Sequence, residues 1–227
     1  MSAESKIKVP RALGFTLIEL LVVIALIAVL AGGIGLSLGK GDRGTSLRTA
    51  QSTVASMLSG VRAQAALKQT NAAIFVNATP GSDNFLREFR IAVETSTNNW
   101  RVTGDPILLP RGLYLVPAKG VFSSPAQVQF NGAWDSGSWS LYPSTNTYDN
   151  TNRRMKDAAD NDISSDDYHQ LVKLSVQGTT SAGKIVVAIA EPQADGSIRY
   201  DYPDLVRGML ISTYGVASFI NEAEAFK

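Results

Sequence analysis

Between Leu13 and Gly39 the chain carries a single ionisable side chain, Glu19, while almost every other charge lies after Lys40. An apolar end is therefore joined to a wet body. Phe15 to Leu38 is 24 residues, and at about 1.5 Å per residue such a helix spans roughly 36 Å, enough to cross a hydrocarbon core of about 30 Å. The leader before it, MSAESKIKVPRALG, is short, polar and basic. An ordinary secretory signal has its small-residue cleavage site after the apolar stretch, whereas here the small residue, Gly14, precedes it. A cut after Gly14 leaves the whole apolar segment on the mature chain as its new N-terminus. Lys6, Lys8 and Arg11 place the leader in the cytoplasm by the positive-inside rule, and the body from Lys40 onward on the far side.

Glu19 constrains function as well as fold. A carboxylate in an apolar helix costs a few kcal/mol at the bilayer centre by insertion scales, less near the interface, and such groups are functional by default. It requires a partner. The other reading is a plain single-pass anchor whose Glu19 merely tolerates the interface.

Gly14, Phe15, Thr16, Leu17, Ile18 and Glu19, read as G|FTLIE before a long apolar run, resemble the signal of type IV pilins and type II secretion pseudopilins. In that family a prepilin peptidase cuts after the glycine, the new N-terminal phenylalanine is usually N-methylated, and the glutamate fifth after the cut acts in assembly. The resemblance places these roles on Gly14, Phe15 and Glu19. It implies a filament subunit in the bacterial inner membrane, single-pass, with its body in the periplasm or outside. Its partners would be the peptidase, other pilin or pseudopilin subunits, the membrane and a secretion or pilus assembly platform. Charge neutralisation agrees with this, since Glu19 can pair with the Phe15 amine of a neighbouring subunit only when the register is right.

The expected organisation is a leader (1–14), a membrane and filament-core helix (15–38), an amphipathic continuation (39–71) and a β-rich domain (72–227). Gly32, Gly33 and Gly35 weaken the end of the apolar helix, and Lys40 to Gly44 is a second weak point. From Ser46 apolar periodicity resumes, with Leu47, Val54, Leu58, Val61 and Ala65 spaced by 7, 4, 3 and 4 on one helical face. Arg48, Gln51, Arg62 and Lys68 fall on or near the wet side. The helix is expected to end near Thr70 or Asn71 and to dock its stripe on a sheet.

Strands are expected at 72–76, 89–94, 100–102, 113–116, 128–130, 171–176, 184–190 and 209–213, separated by turn chemistry such as Thr79-Pro80-Gly81-Ser82-Asp83 and Ala194-Asp195-Gly196. A long N-terminal helix followed by many antiparallel strands is an α+β fold of type IV pilin-like design. The stretches 54–76, 108–116 (LLPRGLYLV) and 128–134 (VQFNGAW), with Trp100, resemble the minor pseudopilin H and FimT branch. The polar stretch from Ser136 to Gln170 is an insertion relative to a compact domain of that type.

Composition narrows the chemistry. The N-terminal 39 residues hold three basic and two acidic side chains of the chain's 21 and 20, which leaves the body neutral. A neutral body without a basic stripe argues against nucleic acid as a partner. The absence of cysteine excludes disulfides, thiolate metal sites and a cysteine nucleophile. A single histidine, His169, read as a surface or strand-end residue, leaves little for a zinc site or a catalytic triad.

No catalytic residue and no cofactor are expected, and an anchored hydrolase is the poorest reading because no nucleophile, base and oxyanion set is readable. Asp157, Asp160, Asp162, Asp166 and Asp167 concentrate oxygen ligands that calcium could use, but their spacing matches no EF-hand, and a solvated loop is the favoured reading. Trp134, Trp139, Tyr142 and Tyr148 are candidates for a sugar or partner contact, or for closing the edge of a core. The leading expectation is a minor pseudopilin of a type II secretion system. The alternatives are a minor pilin of a surface or DNA-uptake pilus, and an adhesive module on a pilin anchor.

Overall fold

The computed structural model describes residues 17–117, 128–130, 153–202 and 204–222. The chain divides into two units, Met1–Asp42 and Arg43–Lys227. One helix, α1 (Leu17–Lys68), is assigned across Gly32, Gly33, Gly35 and the stretch from Lys40 to Gly44, the two expected weak points. It ends two residues earlier than the apolar pattern suggests. Gln69 takes a left-handed conformation (φ 51°) and the Thr70 amide donates to the Ala65 carbonyl, which closes the last turn as a Schellman-type cap.

In the second unit the strands form three sheets rather than one. The first runs, in spatial order, β8 (Asp162–Ile163), β7 (Arg154–Lys156), β3 (Asn99–Val102), β2 (Glu88–Ser96), β1 (Ala72–Asn77) and β9 (Tyr168–Leu174), with β4 (Ile107–Leu108) also paired to β2. The second is β14 (Ala217–Ile220), β13 (Val206–Ile211), β10 (Gly183–Ile189) and β5 (Leu113–Leu115). The third is β11 (Glu191–Pro192), β12 (Ile198–Tyr200) and β6 (Val128–Phe130). Pairing is mostly antiparallel, with β3–β7 and β12–β6 parallel, so the class is α+β.

A seven-residue stripe of α1 explains the arrangement. Leu47, Ala50, Val54, Met57, Leu58, Val61 and Ala65 are all buried, and they share one core with Ile74, Phe89 and Val93 of the first sheet and with Val186, Met209 and Ile220 of the second. The expected stripe is thus the observed one. It serves two sheets because Ala50 and Met57 widen it beyond the five positions that the periodicity marks. Gly60 lets the helix approach β2, since a Cβ there would stand 3.3 Å from Ile91 Cδ1.

β1 is buried at all six positions, the signature of a strand covered on both faces. Its Ala72, Ile74 and Val76 face the main core, while Ala73 and Phe75 join Ala92, Trp100, Val102, Met155 and Tyr168 in a second cluster. Phe75 meets Trp100 edge to face at 5.2 Å between ring centroids. This cluster corrects the expectation of a loop in the polar stretch up to Gln170, over its described residues 153–170. Residues 153–170 are structured: β7 pairs with β3, Met155 is 1 % exposed, and Tyr168 begins β9. One apolar side chain in a polar run is too weak a periodic signal to reveal a strand, but burial against Phe75 and Trp100 holds it.

Candidate functional site

The residues that carry the sequence-level argument stand at the chain's start. Gly14 and Phe15 lie outside the described residues. Glu19 occupies the first turns of α1, and its side chain lies outside them too. Around it Ile18, Leu21, Val22 and Ile24 are each more than half exposed, so this first stretch of α1 presents apolar side chains that burial in lipid or protein would stabilise. Among the described residues no helix is long and apolar enough to cross a membrane. Most side chains of the apolar run Phe15–Leu38 fall outside that description.

The lower half of α1 holds the C-terminal hairpin, and polar residues do it. Gln51, placed by periodicity near the wet side, is 5 % exposed, and its Nε2 donates to the Gly208 carbonyl at 2.7 Å and the Ile220 carbonyl at 3.1 Å. Gly208 and Ile220 are register partners on β13 and β14, so one side-chain amide grips both strands of the hairpin. A helical wheel assigns glutamine to solvent because it cannot see backbone carbonyls more than 150 residues away. Arg62 does lie on the exposed side, and its guanidinium donates to the Tyr214 carbonyl at the hairpin turn.

The hairpin turn also packs without slack. A Cβ at Gly215 (φ 66°) would lie 2.5 Å from Leu174 Cδ2 and 2.9 Å from the Gly178 carbonyl oxygen, so only glycine fits. Beyond this anchorage the hairpin is apolar outside: Leu210, Tyr214, Val216 and Phe219 are 44 to 70 % exposed. Sequence reading ended its last strand at Thr213 and found neither β14 nor this patch. Its signal was the strand-forming residues Val216, Phe219 and Ile220 just after a Tyr-Gly turn, without the alternation that marks a strand.

Two buried polar centres flank the second core cluster. Glu88, 6 % exposed, accepts hydrogen bonds from Tyr168 Oη at 2.6 Å, Arg90 Nε at 2.8 Å and Asn84 Nδ2 at 2.8 Å. Burial and then the hydrogen bond to Glu88 push the Tyr168 hydroxyl up from its ordinary pKa. For Arg90 burial pulls down, but the contacts with Glu88 and Tyr168 prevail and raise it. This is a paired, satisfied network of the kind that fixes a core geometry.

The second centre is Arg153 with His169. The Arg153 guanidinium sits 5.0 Å from the Phe75 ring centroid and donates to the Tyr168 carbonyl. His169, expected at a surface or strand end, is the second residue of β9 and is half-buried. Burial, and secondarily the charge of Arg153, depress it to about 4.

The aspartates weighed for calcium are dispersed over several tasks. Asp160, at φ 72° in the β7–β8 turn, receives Arg101 on one oxygen at 2.6 Å and Lys156 on the other at 2.9 Å. Asp157 caps the same turn through Asn161. Asp162 lies on β8 opposite Lys156, and Asp166 and Asp167 form a short 3-10 helix in which Asp167 accepts from Thr79 Oγ1 at 2.9 Å. Among the described residues no three histidine or acidic side chains gather as a metal-binding group. Trp134, Trp139, Tyr142 and Tyr148, and the segment around them, lie outside the described residues.

Compared with known families, residues 10–35 fit the family model of the prokaryotic N-terminal methylation motif. That is the prepilin-type signal of type IV pilins and pseudopilins, and the chain carries it. No curated protein and no solved structure matches the chain.

Proposed function

We propose that this chain is a structural subunit of a type IV pilus-like filament, and within that class a minor pseudopilin of a type II secretion system. The observation that carries the reading is the N-terminal signal, G|FTLIE between a basic leader and an uninterrupted apolar run, matched by the methylation-motif model. A prepilin peptidase cuts between Gly14 and Phe15 at the cytoplasmic face of the inner membrane, and Phe15 is N-methylated. The apolar half of the helix holds the subunit in the membrane and then enters the filament core. There Glu19 of one subunit neutralises the Phe15 amine of its neighbour, a pairing that forms only in the correct register because an unmatched buried charge costs several kcal/mol. The α+β body stands outside and meets other subunits or cargo.

Mass spectrometry of the mature N-terminus, in cells with and without the peptidase, tests the processing step. The expected product begins at N-methylated Phe15, and an uncut chain in peptidase-proficient cells refutes it. Glu19→Ala is expected to leave cleavage and membrane insertion intact while abolishing incorporation into filaments. Normal incorporation of that variant removes the register role. The same signal serves minor pilins of surface and DNA-uptake pili, and the accompanying genes separate the two: a secretin and secretion ATPase without a retraction ATPase go with secretion.

A further inference from the structure

A cleft of about 680 Å³ opens where three turns of the second unit meet, between the segments 81–87, 108–114 and 192–198. Each turn is closed by a backbone hydrogen bond, Ser82 N–H to the Thr79 carbonyl, Leu113 N–H to that of Pro110 and Gly196 N–H to that of Gln193. Each also carries a left-handed glycine, Gly81, Gly112 and Gly196. Two of the turns touch so closely that a Cβ on Gly196 would sit 3.0 Å from the Gly81 Cα. The walls are therefore preformed by backbone rather than by adjustable side chains.

Tyr114, Arg87 and Arg111 place hydrogen-bond donors at this cleft, and those of Tyr114 and Arg111 are unspent among the described residues. Tyr114 lines it with its ring largely buried, and its hydroxyl, which makes no hydrogen bond among the described residues, reaches solvent at the cleft. Arg87 spends one N–H on the Asp83 carbonyl at 3.2 Å and one on the Leu109 carbonyl at 2.9 Å, and its Nε is buried with no partner. These bonds to neutral carbonyls hold the guanidinium, 5.7 Å from the Tyr114 ring centroid, without neutralising it. Arg111 stands at the cleft with no hydrogen bond or ion pair among the described residues. The lining has one carboxylate, Asp83, against two guanidinium groups, so the cleft is positive by one charge.

We propose that this cleft binds a carboxylate, presented as the acidic side chain of a short peptide segment of a partner protein. The exposed Arg111 guanidinium, lining the same cleft as the Tyr114 hydroxyl, offers the planar donor fork that suits bidentate recognition of a carboxylate. The volume lies within the range of about 300 to 1,000 Å³ typical of small-ligand and peptide pockets. Pro192, Ile198 and the half-exposed Leu108 add an apolar wall beside the donors, which selects an apolar residue next to the acidic one. The lone Asp83 carboxylate opposes a multiply charged anion such as phosphate. This inference stands on the cleft alone and is independent of the filament reading.

Isothermal titration calorimetry on the full chain in detergent micelles tests it, with a capped peptide Leu-Glu-Leu-Ser, its Leu-Gln-Leu-Ser counterpart, and glutarate as a free dicarboxylate. The Glu peptide is expected to bind at least about tenfold more tightly than the Gln peptide, as loss of a charged hydrogen bond predicts. Arg111→Ala, at an exposed site, should weaken it about tenfold, and Tyr114→Phe severalfold, both with unchanged melting temperature. Equal binding of both peptides, no binding of either, or unaltered affinity in both variants overturns the proposal. Glutarate binding without peptide binding overturns the peptide source and assigns the cleft to a small free acid.

Discussion

Replacing Gln51 by alanine tests whether one side chain couples the helix to the C-terminal hairpin. Its amide donates to two carbonyls, Gly208 and Ile220, in a position 5 % exposed. Truncation removes both bonds at once and strands two buried acceptors, at roughly 1 to 3 kcal/mol for unsatisfied polar groups, and it empties space beside the Gly208 and Ile220 backbone. The expected loss is about 2 to 4 kcal/mol. Gln51→Glu should cost at least as much, because a carboxylate has no N–H to give and would face two carbonyl oxygens. Urea unfolding followed by tryptophan fluorescence reads the change as a shift in midpoint at constant slope. Amide exchange adds the location: protection in 206–220 should fall before that of β1. A loss under about 0.5 kcal/mol for Gln51→Ala, or uniform loss of protection across both sheets, refutes the coupling.

Gly215→Ala should destabilise by at least about 2 kcal/mol, since the new Cβ meets Leu174 at 2.5 Å and the backbone there has φ 66°; thermal melting reads this, while Gly104→Ala, with open space around its Cβ, should cost only the backbone strain. His169 is depressed to about 4 by burial and by Arg153, so the unfolded chain, with its ordinary value near 6.5, binds the extra proton between those limits. Its contribution is therefore complete above about pH 6.5 and is lost as pH falls toward 4, amounting to up to roughly 3 kcal/mol; His169→Gln should flatten that segment of the stability–pH curve measured by denaturant titration. Met155→Ala should cost about 2 to 4 kcal/mol by opening a cavity against Phe75 and Trp100, whereas truncating a solvated loop residue would be silent in the same unfolding assay.

Legibility followed the range of the interactions. The helix stripe and the strands β1, β2, β3 and β5 were readable because their apolar spacing reports burial locally: Leu47, Val54, Leu58, Val61 and Ala65 are buried as spaced. Among the strands of two or three residues, β5 and β6 stand in short apolar runs, whereas β4, β7, β8, β11 and β12 carry no usable period and depend on pairing partners elsewhere in the chain. The same limit hid the cleft, whose three walls are separated by up to about a hundred residues. Asp160 shows the same limit in the acidic run, where the spacing of carboxylates does not reveal that Arg101 and Lys156 are the partners of this one.

The sequence by itself carried the N-terminal logic, from the methylation-motif signal at residues 10–35 to the isolated Glu19, because a processing signal and a hydropathy profile are contiguous features that need no tertiary partner. It determined equally that a helix face would be buried against strands. Only the tertiary structure decided that the stripe serves two sheets, that Gln51 and Arg62 grip the last hairpin, and that Arg87, Arg111 and Tyr114 converge on one cleft. A hydrogen bond or an ion pair is specified by two ends, and a one-dimensional reading sees only one of them at a time.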